Sequence, residues 1–420
     1  MHKKAFNPVF NSYLIYIGVA LASAGVALYT PLIVSETGKN FSGTWAATIL
    51  FGLNLGRVVG SHLGGHYPRF CNHPLAVSGN ILLEGIALYC MAYLQQAWAL
   101  AVFALLAGLG SGLSFPGLKN YLLKLKELDQ TSLFSRLSFA IRIGLVGGYL
   151  GAAWVPIHNL KLVFLLVLLS FIAYGIFMLY AMRAISRHEM LALGATASRE
   201  NLPNEENNLS ASSAANITNP VKEKPAKLPL KFHLSNALFW CFAIQPMIGF
   251  SLHIPLYTPE LSVSTPFWLA AMVIILFQIP VSKRAVRVRD HFRFLQIGYG
   301  CLFVSFVLMV LEGQHASAVI ISAILLSFGQ VFYGPSFDVV IARFASNSTE
   351  NTARLMSQQM FYQSMGTMIG SLLGGVLFDL TQKVHWAGLN WFLLAIGSLW
   401  MMILSKNKIP DLYRNAQSSN

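Results

Sequence analysis

Twelve separate runs of about twenty apolar residues dominate this sequence, and no water-soluble fold has a use for them. A hydrocarbon layer of about 30 Å is crossed by about 20 residues of helix. By that measure the spans are Ser12–Val34, Gly43–Gly65, Leu75–Leu94, Trp98–Leu122, Leu133–Val155 and Leu160–Met182 in the first half. In the second half they are Asn236–Tyr257, Pro266–Val281, Phe294–Leu311, Ser317–Phe344, Met356–Leu380 and Trp386–Leu404. Lipid offers no partner to backbone N–H and C=O groups, so the runs are helices and not strands. Composition closes the alternatives: only 11% of the 420 residues are charged, 55% are hydrophobic, and mean hydropathy is +0.57. A solvated surface takes roughly a quarter charged residues, which excludes soluble, disordered, collagen-like and coiled-coil chains. The expected class is an all-α membrane protein.

Between the sixth and seventh runs the chain changes character. Residues 183–235 are polar, with Asn204-Glu-Glu-Asn-Asn208 and a Ser/Ala/Asn tract to Asn219. Such a segment buries too little apolar surface to offset its ordering entropy and is predicted to be a flexible cytoplasmic linker. The predicted domains are therefore residues 1–182, the linker, residues 236–405, and a cytoplasmic tail at 406–420. Lys and Arg fix the orientation. With the N-terminus inside, 23 of the 29 bases fall in cytoplasmic segments, Lys39, Lys161 and Lys383 fall outside, and Arg57, Arg136 and Arg142 lie within spans. That asymmetry puts both termini in the cytoplasm of a multi-pass protein of the bacterial inner membrane. It also accounts for the net charge of +13 through anionic lipid rather than nucleic acid. The apolar run after Met1-His2-Lys3-Lys4 is too long for a signal peptide and reads as the first span. The four cysteines show no CxxC spacing, so no metal, disulfide framework or other cofactor is expected.

The halves echo one another. Gly110-Ser-Gly-Leu-Ser-Phe-Pro116-Gly-Leu-Lys119 in the fourth span aligns with Gly329-Gln-Val-Phe-Tyr-Gly-Pro335-Ser-Phe-Asp338 in the tenth, which also pairs Lys124 with Arg343. Gly147-xxx-Gly151 in the fifth span is matched to Gly370-xxx-Gly374 in the eleventh, a spacing that lets helices approach closely. Six spans, a basic linker, six spans and this repeat resemble the major facilitator superfamily over nearly the whole chain. The run Ser364-Met-Gly-Thr-Met-Ile-Gly-Ser-Leu-Leu-Gly-Gly-Val-Leu-Phe-Asp379 is most similar to its drug and metabolite efflux branch. The resemblance implies two six-helix bundles related by a pseudo-twofold axis. One departure is the loop Gly60-Ser-His-Leu-Gly64-Gly65-His66-Tyr67-Pro68-Arg69, where Gly64 stands in place of the family's acid. The fourth-span arginine common in the efflux branch is also missing.

A charge inside a span costs about 2.5–3.5 kcal/mol on insertion scales and so needs a partner, water or a job. Arg142 is the deepest base; it is expected either to anchor a carboxylate-bearing solute bidentately or to pair with Glu84. Arg136 is expected to snorkel, and Arg57 to serve a gate or the solute. Glu84, an acid in an apolar setting, is a candidate for taking up and releasing a proton, or for packing. Lys119 and Asp338 occupy equivalent positions, and we expect them to form a cytoplasmic gate when the cavity opens outward; the alternative pairs Asp338 with Arg343. In the seventh span, Gln245-Pro246-Met-Ile-Gly249-Phe-Ser-Leu-His253-Ile-Pro255 is expected to break the helix near the midplane, placing Gln245 against solute and letting His253 titrate. Gln330, Tyr333 and Tyr29 are further cavity-lining candidates, each with packing as the plainer reading.

The predicted function is that of a monomeric secondary transporter using alternating access, a proton-coupled antiporter exporting a drug, metabolite or siderophore. Import of a carboxylate or siderophore-type solute is the near alternative, and a non-transporting receptor a more distant one. No phosphate-cradling Gly-Lys-Ser/Thr loop and no nucleophile–base pair is present, which argues against ATP-driven transport and against an enzyme.

Overall fold

The computed structural model describes residues 7–66, 73–125, 130–154, 160–200, 229–287, 291–344 and 349–418, and within them every regular element is an α-helix. The first six helices are Pro8–Asn40, Gly43–His66, Pro74–Met91, Ala97–Leu123, Gln130–Trp154 and Leu160–Glu200. A seventh span follows in two pieces, Leu230–Ala243 and Gln245–Tyr257; the remainder are Thr265–Arg287, His291–Glu312, Ala316–Phe344, Thr349–Val384 and Leu389–Ser418. Nine helices among the described residues are long and apolar enough to cross a membrane. Thr265–Val281 and Leu389–Leu404 are shorter apolar stretches, and Gly43–His66 carries Arg57 and two histidines among its apolar residues, which puts the candidate membrane helices between nine and twelve.

Local chemistry starts and stops these helices. Asn7 caps the first: its side-chain oxygen accepts from the Phe10 amide at 3.0 Å, and Pro8 follows at the first helical position. Ser42 caps the second by accepting from the Trp45 amide at 3.2 Å. The sixth helix does not end at Met182. Good helix formers in Ala-Met-Arg-Ala-Ile-Ser-Arg-His-Glu-Met-Leu-Ala-Leu carry it through the first part of the predicted linker to Glu200, and Glu189 on that extension pairs with Lys124 at 2.6 Å. Residues 201–228 of the linker, with Tyr67, Pro68 and Arg69 of the degenerate loop motif, lie outside the described residues.

The helix partners repeat. The first span packs on the fifth and sixth, the third on the fourth and sixth, and the second on the fourth. Correspondingly, the seventh packs on the eleventh and twelfth, the ninth on the tenth and twelfth, and the eighth on the tenth. One buried cluster runs from Ile15 to Ile185 and admits Ile248, Leu252 and Phe378. The other runs from Phe232 to Met401 and admits Ala27 and Tyr149. Glycines set the close approaches, and they correct one expectation. Gly144 and Gly148 of the fifth span sit against Ala20 and Ala24, while Gly366 and Gly370 of the eleventh sit against Ala237 and Cys241. Both glycine pairs are separated by 222 positions (366 minus 144, 370 minus 148). A Cβ on Gly147 would meet nothing within 4 Å, so the packing motif is Gly144-xxx-Gly148 and the alignment through Gly147 and Gly151 is one residue out of register. The Gly110–Gly329 alignment stands: Gly110 lies on Asn80 and Glu84 of the third span, and Gly329 on Gly298 and Cys301 of the ninth.

Two main seams join the halves, second span to eleventh and fifth to eighth, and the first span also meets the second piece of the seventh. We call distal the end bearing the turn at residues 41–42, opposite the end where the first helix begins. There Gly43 and Gly375 bring two backbones together, Leu252 fills the space at Gly38, and the Tyr149 and Phe267 rings lie 5.5 Å apart. At the other end, Lys119 Nζ reaches Met360 Sδ at 3.2 Å.

Candidate functional site

Helical geometry decides where Arg142 points. Gly144 and Gly148 turn one face of the fifth span onto the first span. Tyr149 lies seven residues from Arg142, two turns along the same opposite face, and that face meets Phe267 of the eighth span. Arg142 therefore looks across the seam into the second half. It is half-buried, Tyr149 is its electrostatic neighbour, and it has no hydrogen-bond or ion-pair partner among the described residues. An arginine in a span without an anion is chemically incomplete. Its five N–H donors are arranged for a planar carboxylate or phosphate.

A second cluster lies inside the first half. Glu84 is buried at 5% exposure, with Ser111 beside it and Arg57 as its charged neighbour. Glu84 does not pair with Arg142; the cation nearest to it electrostatically is Arg57 of the second span, and Gly110 lets the third span settle against the fourth beside Glu84. Tyr29 links the two clusters: it is 2% exposed, within electrostatic reach of Arg57, Glu84 and Tyr149, and its hydroxyl has no hydrogen-bond partner among the described residues. Asn54, one turn from Arg57, donates to the Leu50 carbonyl at 3.0 Å and lies 3.5 Å from the Ser371 hydroxyl across the seam.

Other candidates are placed differently. Gln245 is buried, and its amide donates to the carbonyls of Cys241 and Gly370, both at 2.9 Å. It thereby satisfies the carbonyl beside the break at Ile244 and ties it to the eleventh span, instead of presenting itself to solute. Gly249 is no break either; it seats the Trp391 ring, and Pro255 stays within the helix. Tyr333 belongs to the second core, stacked on Phe239 with centroids 3.6 Å apart. Gln330 is half-buried in the tenth span. His253 is 2% exposed and donates through Nε2 to the Gly313 carbonyl at 2.7 Å. It forms the floor of a cavity of about 480 Å³ at the distal end of the second half, with Tyr257, Glu312, His315, Gln382 and His385 in its lining.

Lys119 and Asp338 do not meet in this conformation. Asp338 accepts from Gln359 Nε2 at 2.7 Å, while Lys119 lies against the neighbouring Met360 and over the Phe115 ring at 4.8 Å. Both thus reach adjacent residues of the eleventh span. The Arg343 side chain lies outside the described residues, and Arg136 is exposed. Sequence reasoning missed Ser111, Tyr149 and Gln359. Tyr149 was findable, seven residues from the deepest arginine.

The helix pairing and the matched glycines agree with the family model for the Major Facilitator Superfamily, which matches residues 12–364. The chain belongs to the Major Facilitator Superfamily. Among curated members it is similar to multidrug resistance protein MdtH of Shigella dysenteriae serotype 1 (strain Sd197), 23% identical with 94% of this chain and 92% of that protein covered. MdtH of Shigella boydii serotype 4 (strain Sb227) matches at the same 23%. Among solved structures it shares its fold with the nucleoside transporter NupG (D323A mutant), at TM-score 0.70 and 13% identity, covering 94% of this chain and 99% of that one. A POT family transporter in complex with a thioalcohol conjugated peptide gives TM-score 0.68 at 14% identity, with 96% of each chain covered. This superfamily member is a multi-pass membrane transporter and not an enzyme.

Proposed function

We propose that this chain exports a small organic solute bearing a carboxylate or comparable anionic group, in exchange for protons, across a bacterial cytoplasmic membrane. The observation that carries the reading is Arg142: a guanidinium on the seam-facing side of the fifth span, with no anion paired to it among the described residues. Tyr149 and Tyr29 flank the route from Arg142 to the Arg57–Glu84 cluster, so solute at Arg142 and a proton at Glu84 would feel one another through a short electrostatic chain. Likeness to MdtH supports the outward direction of solute movement.

In this reading the chain crosses the membrane twelve times, with both termini and the linker in the cytoplasm, as the 23-to-3 distribution of bases suggests. Two six-helix bundles related by a pseudo-twofold axis rock about the shared space. The repeated helix partners and the common 222-residue offset of the packing glycines support that symmetry. The distal end is extracytoplasmic in this reading, and its close contacts support a conformation closed to the outside. Lys119 and Asp338 close the cytoplasmic end in the opposite conformation. One chain contains the whole site, so the working unit is a monomer.

The test is flux in proteoliposomes across an imposed pH gradient, screening carboxylated, neutral and cationic organic solutes. The expected result is counter-gradient movement of an anionic solute that collapses with the proton gradient. Uptake of the same solute in the proton's direction would make the protein an importer, and binding without flux would make it a receptor.

A further inference from the structure

The second span begins with a helix terminus that its own sequence leaves incomplete. The first amides of a helix have no intrahelical acceptor. Ser42 provides one, accepting from Trp45. The amides of Gly43 and Thr44 are satisfied from the other half of the molecule: Asp379, near the end of the eleventh span, accepts from Gly43 through Oδ1 at 2.8 Å and from Thr44 through Oδ2 at 2.9 Å. The Thr44 hydroxyl donates to the same Oδ2 at 2.5 Å. A carboxylate on a helix N-terminus is also favoured by the helix dipole.

The approach that makes these bonds possible is set by glycine. A Cβ on Gly375 would overlap the Gly43 carbonyl and the Ala47 methyl, and a Cβ on Gly43 would crowd Asp379 Oδ1 at 2.9 Å. Among the described residues, the fifth–eighth seam at the same end has no such device: it closes with Tyr149 on Phe267, and the eighth helix opens on Thr265-Pro266, where the proline has no N–H to offer.

We infer that Asp379 is the distal latch of the transport cycle, a positioning residue that holds the second and eleventh spans together while the site faces the cytoplasm and must release for the site to face outward. This rests on the alternating-access reading above. The location suits a reversible contact. Asp379 and Thr44 are half-buried beside exposed Phe41 and Trp45, so water can replace the three bonds as the seam parts; the same bonds at mid-membrane would have no such substitute.

The experiment measures the gap directly. Spin labels replace Phe41 and Val384, both exposed residues flanking the latch, in a protein whose four cysteines are changed to alanine, reconstituted in lipid nanodiscs. Pulsed dipolar spectroscopy should show one short distance dominating. Asp379→Ala should raise the ratio of long to short distances by about tenfold, the equivalent of a lost charge-assisted cap. Thr44→Val should give a smaller shift, and Asp379→Glu should restore the short distance. Because Asp379→Ala can fail to assemble, Gly375→Ala tests the same contact by prying the backbones apart and should also favour the long distance. An unchanged distribution in a monodisperse Asp379→Ala or Gly375→Ala protein overturns the latch. A shifted distribution in a protein that moves no solute leaves the latch standing and removes the transport reading; active flux with an unmoved distribution does the reverse.

Discussion

At the distal end the second and eleventh spans meet through a carboxylate, two amides and a pair of glycines, whereas the fifth and eighth meet through two aromatic rings, two turns from an arginine that has no ion-pair partner among the described residues. The first seam is directional: Asp379 has one set of partners, and moving the helices by a few ångströms loses all three bonds together. The second is tolerant, since Tyr149 and Phe267 at 5.5 Å can slide while keeping ring contact. In the proposed alternating-access cycle, the first side would set when the halves separate, and the second would keep them in register with Arg142 facing the space between them. A seam that latched on both sides would hold one state; one that slid on both would define none.

The largest expected effect comes from the cation at the tolerant seam. Arg142→Ala should raise the KM for an anionic solute by about 30-fold, the equivalent of about 2 kcal/mol of charge-assisted bonding, while leaving the latch distance unchanged. Arg142→Lys should recover only part of that, since an ammonium cannot bind bidentately. Next comes the latch: denaturation of Asp379→Ala in detergent should show a loss of about 1–2 kcal/mol, discounted for its partial exposure. Similar in size is the cytoplasmic pair. Lys119→Asp or Asp338→Lys alone should lower flux about tenfold, and the double exchange should recover it, since Lys119 and Asp338 reach neighbouring residues Met360 and Gln359 and need move only within that space. No recovery would remove the gate. The smallest effect is expected for the rings: a double-mutant cycle of Tyr149→Leu and Phe267→Leu should give a coupling of about 1 kcal/mol, with flux nearly intact. A larger loss of flux than at Asp379 would invert the comparison.

How much of this was legible in the sequence follows from what each feature depends on. Helix positions came through because lipid makes length and hydropathy a local property; the helix starts at Gly43 and Leu160 agree to the residue, and nine helices among the described residues are long and apolar enough to cross a membrane. The end of the sixth helix did not, since polarity marks where lipid stops and not where a helix stops. The break in the seventh span was readable from Pro246, yet its consequence was misread. Freed carbonyls attract the nearest donor, and Gln245 fills that role from the second piece of the same span. Arg142 was identifiable as costly, but the sequence leaves open whether it anchors a solute or pairs with Glu84. Glu84's partner was not identifiable, because its direction depends on how Gly110 lets two helices settle. Asp379 looked like an ordinary helix-end acid, and nothing nearby in sequence reveals that its partners are more than 330 residues earlier.

The central claim is that two halves rock about a common space, and locking each end in turn tests it most directly. Cysteines at Thr44 and Asp379 would lock the distal end, and cysteines at Lys119 and Met360, bridged by a thiol-cleavable linker, the cytoplasmic end. Each lock should stop solute flux in proteoliposomes, and cleavage should restore it. Full flux through a protein quantitatively locked at either end would contradict the account.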